Sequence, residues 1–123
     1  MSEQPAQLWR RTLRNALLAA RKDRDATRVS ALRSAVSAID NAETPDGARV
    51  DAKSSGTIAG GVVGLGAAEV ARRELSDAQI RSLLRGEVDE RLAAAKQIDA
   101  SHTEHAATLR IEAAVLSDLL GDV

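Results

Sequence analysis

The chain has no cysteine, and Trp9 is the one aromatic residue among its 123 residues. Without cysteine, disulfides, thiol nucleophiles and cysteine-ligated zinc or iron–sulfur sites are all excluded. With a single aromatic ring, the chain lacks the series of stacking platforms on which many proteins bind single-stranded nucleic acid. Proline is scarce as well, whereas alanine, leucine, arginine, glutamate and valine are abundant, and this composition favours helix over strand. The sequence therefore predicts an all-α protein.

Size and hydropathy indicate one folded domain. Hydrophobic residues make up 44% of the chain and charged residues 28%, which is typical of a folded protein rather than a disordered one. The longest apolar run, residues 58–68, is too short and too glycine-rich for a membrane-spanning helix, and residues 1–11 lack a secretory pattern. We expect a single soluble domain over residues 1–123, located in the cytoplasm and without a membrane partner.

Charge is unevenly distributed, although the net charge is only −1. Residues 1–40 carry a net charge of +4, and residues 41–123 carry −5. The basic end is either the solvated surface of a helical pair or a contact for an anionic partner such as RNA. An RNA contact would run from arginine to phosphate and would weaken as salt increases. The candidate anion-binding residues are Arg10, Arg14, Arg21, Arg28 and Arg33.

The first half of the chain contains two predicted helices that pair as an antiparallel hairpin. Helix 1 covers about residues 5–22, with Pro5 in its first turn. Asp25 is the predicted N-cap of helix 2, which ends near Asn41. One face of helix 1 carries the apolar residues expected in the core: Leu8, Trp9, Leu13, Ala16, Leu17 and Ala20.

Helix 2 is the expected centre of the bundle. Its stripe of larger apolar residues, Val29, Leu32, Val36 and Ile39, predicts a face toward the core. Most of its other side chains are small, chiefly serine and alanine, so neighbouring helices could approach closely on several sides.

The second half of the chain contains two further helices. Ser76 and Gln79 form a capping box at the start of helix 3, which runs to about Ile98. Ser101 or Thr103 is the expected cap of helix 4, and Gly121 ends it. The predicted buried side of helix 3 contains Ile80, Leu83, Leu84, Val88, Leu92 and Ala95. The fold class is thus a small up-down bundle of about four helices.

A long glycine-rich insertion, residues 44–74, separates helices 2 and 3. Within it, Gly64 and Gly66 form a GxG motif. A dinucleotide site requires a preceding strand, and a P-loop requires a lysine and a hydroxyl residue after the last glycine, but the sequence has neither. A connector or a close-packed backbone segment explains the glycines.

Residues suited to catalysis or metal binding are few. His102 and His105 stand three positions apart without the spacing of a known metal signature, and solvated imidazoles at a helix start explain them. The carboxylates of Glu87, Asp89 and Glu90 suit an outer helix face. No serine has a histidine or lysine placed to activate it. We expect no catalytic residue, no metal site and no cofactor.

Three segments resemble GatB/YqeY-type proteins, in the order in which that family has them. They are LRSAVSAIDNAE at residues 32–43, GAAEVARRELSDAQI at residues 66–80 and RGEVDERLAAAKQ at residues 85–97. The glycine-rich insertion followed by EVARREL is similar to actinobacterial members. The resemblance implies a helical domain related to the C-terminal region of GatB, a subunit of the tRNA-dependent amidotransferase. Full-length members continue into a second helical part near tRNA, so the resemblance implies a short form without that tail.

In function, the resemblance implies a non-catalytic module associated with tRNA or with amidotransferase subunits, related to carbon–nitrogen ligases by kinship alone. Glutamine hydrolysis and transamidation occur elsewhere in the amidotransferase. The alternative is an oligomerising or protein-binding helical bundle without a nucleic-acid role, which would pair through the small faces of helix 2 or through the glycine segment. We do not expect a DNA partner.

Overall fold

The structure, a computed structural model, describes residues 3–45 and 73–121. Within these ranges the regular elements are four helices: α1 (Pro5–Lys22), α2 (Ala26–Glu43), α3 (Asp77–Ile98) and α4 (Thr103–Leu120). For the described residues, the prediction of an all-α fold with four helices is confirmed, and the arrangement is consistent with a small helical bundle. Most of the predicted insertion, including Gly64 and Gly66, lies outside the described residues.

Three of the helix starts are formed by the capping residues present in the sequence. Asp25 Oδ1 accepts a hydrogen bond from the backbone N–H of Arg28 at 3.1 Å. Ser76 Oγ accepts one from the N–H of Gln79 at 3.1 Å, while Gln79 Oε1 accepts the N–H of Ser76 at 2.8 Å. Pro5 is the first residue of α1, where its missing N–H costs nothing. The predicted starts of the first three helices are therefore confirmed.

The expected cap of α4 is wrong. The N-cap position belongs to His102, whose side chain does not cap the helix. The hydroxyls of Ser101 and Thr103 instead bond to the carbonyls of Ile98 and Asp99, both at 3.3 Å. These hydroxyls satisfy the end of α3, so they are not available to the first N–H groups of α4.

Ion pairs and hydrogen bonds show how the helices are paired. Arg10, early in α1, bonds to Glu43, the last residue of α2, so these helices are antiparallel. Arg91 of α3 bonds to Glu112 of α4 in a second antiparallel pair. The helices α2 and α3 each pack against the other three, whereas the described helices α1 and α4 do not pack against each other. The central position predicted for helix 2 is thus shared with α3.

The buried face of α2 contains both large and small apolar side chains. Leu32 and Ile39 are buried, as the apolar stripe predicts, and so are Ala31 and Ala35, which have no exposed surface. Alanine lets the neighbouring helices approach the α2 backbone closely. The valines of the stripe are only partly buried against this core. The largest side chains with almost no exposure are Leu13, Leu32, Ile39, Ile80, Leu84 and Leu116.

Two leucines expected in the core are at the surface. Leu8 is 43% exposed and Leu92 is 45% exposed, so their predicted burial is wrong. At 3.6 residues per turn, Leu8 falls outside the buried face of α1, which Trp9, Leu13 and Ala20 form, and Leu92 falls at the edge of the buried face of α3. Trp9, beside Leu8, is buried as predicted.

A polar cluster joins α1, α3 and α4 around the single tryptophan. The indole Nε1–H of Trp9 donates to Asp77 Oδ1 at 2.8 Å, and Arg81 Nε donates to Asp77 Oδ2 at 2.8 Å. The Arg81 guanidinium lies 5.3 Å from the centre of the Trp9 ring and also donates to the carbonyl of Leu120 at 2.9 Å. The hydrogen bond from Trp9, and after it that from Arg81, lowers the pKa of Asp77 below its usual value.

Candidate anion-binding groove

An open groove of about 890 Å³ runs along the outer side of α2, which forms its floor. We call it the arginine–serine groove. The serine face of α2 forms much of its surface and is therefore not covered by another described helix. The lining residues are Arg21, Arg24, Ala26, Val29, Ser30, Arg33, Ser34, Ser37, Ala38, Asn41 and Glu87.

Three arginines from adjoining elements converge on this groove. Arg21 lies in the last turn of α1, Arg24 in the connection between α1 and α2, and Arg33 in the second turn of α2. All three are exposed, and within residues 3–45 and 73–121 none of them forms an ion pair. The N-terminus of α2, where the positive end of the helix dipole lies, follows Arg24 in the chain and is capped by the Asp25 carboxylate. This end of the groove therefore carries three guanidinium groups that pair with no carboxylate among the described residues.

Arg24 has a backbone conformation that favours glycine. Its φ is +56°, in the left-handed region. The N–H of Asp25 donates to the carbonyl of Ala20 at 2.9 Å, and the N–H of Arg24 donates to that of Arg21 at 3.1 Å. These are the two bonds of a Schellman motif, whose left-handed position is most often glycine. The connection between α1 and α2 thus holds an arginine at a strained position, directly beside the groove.

Among the described residues that line the groove, Glu87 of α3 is the one with a carboxylate, and that carboxylate is engaged elsewhere. Its Oε1 accepts a hydrogen bond from Arg91 at 3.0 Å, and Arg91 also donates to Glu112 at 2.9 Å. Burial lowers the pKa of the Arg91 guanidinium, but the bonds to Glu112 and Glu87 outweigh burial and raise that pKa above its ordinary value. The Glu87 charge is therefore partly neutralised within the protein.

The structure divides the five arginines predicted to form one anion-binding face. Arg21 and Arg33 lie in the arginine–serine groove, but Arg14 lines a different groove together with Asp40 and Glu43. Sequence reasoning missed Arg24. Its only signal was indirect: many helices end with a left-handed residue, and the short turn between helices 1 and 2 contains no glycine to take that conformation.

The remaining two predicted arginines form ion pairs inside the protein. Arg10 bonds to both Asp40 and Glu43, and its Nη1 lies 3.2 Å from Glu43 Oε2. The hydrogen bond to Glu43 is the largest reason why the pKa of Arg10 is raised. Arg28 Nη1 lies 3.2 Å from Asp23 Oδ2, an exposed carboxylate in the connection between α1 and α2.

Metal binding and membrane insertion find no support in the part of the chain that the structure describes. No group of three or more histidine, aspartate or glutamate side chains there could hold a metal ion. His102 and His105 are both exposed, and His102 Nδ1 lies 2.9 Å from Ser101 Oγ. Among the described helices, none has the length and apolar character needed to cross a bilayer.

Comparison with known proteins does not identify the groove. No family model, no curated protein and no solved structure matches the chain. The resemblance of three segments to the GatB/YqeY family therefore stays a prediction from the sequence.

Proposed function

We propose that this protein is a non-catalytic helical module of the GatB/YqeY type that associates with tRNA or a tRNA-dependent amidotransferase. The arginine–serine groove is its contact with RNA. The observation that carries the proposal is the convergence of Arg21, Arg24 and Arg33, which have no ion pair among the described residues, on one open groove. The three GatB/YqeY-like segments support the choice of tRNA among anionic partners.

The charge of the groove suits a phosphate backbone. A guanidinium presents a planar fork of donors that matches two phosphate oxygens, and it stays charged at every physiological pH. In an open groove, its electrostatic attraction to RNA releases counterions and gives an affinity that falls with salt.

The backbone conformation of Arg24 also supports the proposal, because it lowers the stability of the protein. Glycine would adopt its φ of +56° without steric cost, whereas an L-residue with a Cβ is strained there. Strained residues persist where the surrounding structure holds them, and they cluster at functional sites. An arginine at this position places a positive charge at the groove at a cost in stability.

The proposal refines the set of RNA-binding residues. Arg21 and Arg33 remain, Arg24 is added, and Arg10 and Arg28 are assigned to ion pairs within the protein. Arg14 is exposed and has no ion pair among the described residues, but it lies beside carboxylates in another groove. It therefore serves as a matched control.

The test is the binding of bulk tRNA across a salt series, measured for the wild type and for Arg21→Glu, Arg33→Glu and Arg14→Glu. All three variants change the net charge equally. Arg21→Glu and Arg33→Glu should each weaken binding and lower the slope of log K against log[salt], by roughly 0.7 to 0.9 for each phosphate that the variant no longer neutralises. Arg14→Glu should change both quantities much less. An equal decrease in affinity for all three variants would show that tRNA is attracted by the net charge of the protein and not by the groove. Absence of binding at low salt would refute the proposal.

The alternative function, an oligomerising bundle, makes a different prediction. It requires a molar mass in solution above the 13.0 kDa of one chain, whereas RNA binding through the groove requires no second copy. Light scattering with and without tRNA separates the two. Copurification of tRNA or of amidotransferase subunits would show which partner the module meets in the cell.

A further inference from the structure

Three serine hydroxyls stand beside the arginines of the groove. Ser30 and Ser37 are exposed, Ser34 is half-buried, and all three line the arginine–serine groove. Within the described residues none of the three forms a hydrogen bond with the protein. Helical hydroxyls commonly bond to the carbonyl four residues earlier. Thr108 does so here and donates to the carbonyl of Glu104 at 3.1 Å. The three groove hydroxyls make no such bond and are therefore available to a ligand.

These hydroxyls supply a chemistry that the arginines do not. Arginine contacts to phosphate are the same for RNA and DNA, because the two backbones carry the same phosphate groups. A serine hydroxyl both donates and accepts hydrogen bonds. The ribose 2′-hydroxyl is also both donor and acceptor, and it is the group by which proteins distinguish RNA from DNA.

We infer that Ser30, Ser34 and Ser37 bind ribose 2′-hydroxyls of a strand whose phosphates lie on Arg21, Arg24 and Arg33, and that the groove thereby selects RNA over DNA. The inference rests on the proposed function and adds to it the residues that determine specificity. Two independent features carry it, both within the described residues: three groove arginines that form no ion pair, and a row of hydroxyls that form no hydrogen bond with the protein. A deoxyribose strand would leave these hydroxyls facing only water.

The test compares oligouridylate with oligodeoxyuridylate of equal length, which differ only in the 2′-hydroxyl. Wild-type protein should bind the ribonucleotide about fivefold more tightly, the effect of one or two net hydrogen bonds. The triple variant Ser30→Ala, Ser34→Ala, Ser37→Ala should lose this preference through weaker RNA binding, while its affinity for the deoxyribonucleotide stays unchanged. Alanine favours helix more than serine does, so α2 should remain folded, and circular dichroism verifies this.

Ser82→Ala is the matched control, since Ser82 is an exposed serine of α3 outside the groove. It should keep the full preference for RNA. Equal affinity of the wild type for the two oligonucleotides, an unchanged preference in the triple variant, or no binding of oligouridylate would each overturn the inference. If bulk tRNA still binds in an Arg33-dependent way in those cases, the proposed function stands, whereas loss of tRNA binding overturns both.

Discussion

The indole N–H of Trp9 donates a 2.8 Å hydrogen bond to Asp77, the first residue of α3 and 68 positions away in the chain. Asp77 in turn accepts from Arg81, whose guanidinium lies over the Trp9 ring and bonds to the last carbonyl of α4. A carboxylate in the first turn of α3 is also favoured by the helix dipole. One side chain thus connects the start of α3 to α1 directly and to α4 through Arg81.

The first prediction concerns the pH dependence of this cluster. Because the folded pKa of Asp77 is lowered, its contribution to stability is fully present above the unfolded pKa, about 3.9, and is lost as pH falls through the lower folded value. Asp77→Ala should therefore be less stable than the wild type at neutral pH, and the difference should shrink in strongly acidic buffer. Urea denaturation followed by Trp9 fluorescence measures both. A difference that does not change with pH would contradict the role of the charge.

A second prediction separates a buried ion pair from an exposed one. Glu43 is buried and pairs with Arg10, so Arg10→Ala leaves a carboxylate without that partner and should cost about 2–4 kcal/mol. Arg10→Ala combined with Glu43→Gln should cost less than the single change, because the charge is removed as well.

Arg11 provides the control for this pair, since its bond to Glu3 is exposed. Arg11→Ala should change stability by no more than about 0.5 kcal/mol. Denaturant titration of the four proteins is sufficient. Similar costs for Arg10→Ala and Arg11→Ala would show that burial of the Glu43 pair has no energetic consequence.

The third prediction is that a substitution at Arg24 changes the stability of the fold and the affinity for tRNA in opposite directions. Arg24→Gly relieves the left-handed strain and should stabilise the protein by up to about 1 kcal/mol, because the steric cost of 1–2 kcal/mol exceeds the entropy cost of glycine. The same change removes a cation from the groove and should weaken tRNA binding. Arg24→Ala should weaken binding equally without the gain in stability. Thermal unfolding and tRNA titration of both variants would test this, and unchanged binding in both would remove Arg24 from the site.

The fourth prediction concerns Glu87, which opposes anions in the groove while it holds Arg91. Glu87→Gln should strengthen tRNA binding, because a negative charge leaves the groove, and should reduce stability by about 1 kcal/mol through the weaker bond to Arg91. Glu112 of α4 also bonds to Arg91 but does not line the groove, so Glu112→Gln weakens a bond to the same arginine without changing the charge of the groove lining. It should therefore reduce stability while leaving binding unchanged. A parallel gain in binding for Glu112→Gln would assign the effect to net charge.

Local signals in the sequence were sufficient for the helices. Asp25, Ser76 and Gly121 mark helix boundaries through bonds or backbone angles that involve only neighbouring residues, and the structure has the boundaries there. The cap of α4 could not be predicted in the same way. Ser101 had two sets of neighbours to bond, and the carbonyls at the end of α3 were the ones within reach.

By itself, the sequence determined the all-helical class, the order of the helices and the excess of arginine in its first 40 residues, because these depend on composition, period and short-range capping. Only the tertiary structure decided which arginines have partners. Arg10 and Arg14 lie four residues apart on one helix, yet the end of α2 brings Glu43 to the first and leaves the second exposed. Whether an arginine on a helix is paired depends on which distant segments pack against it, and helical spacing alone does not predict that.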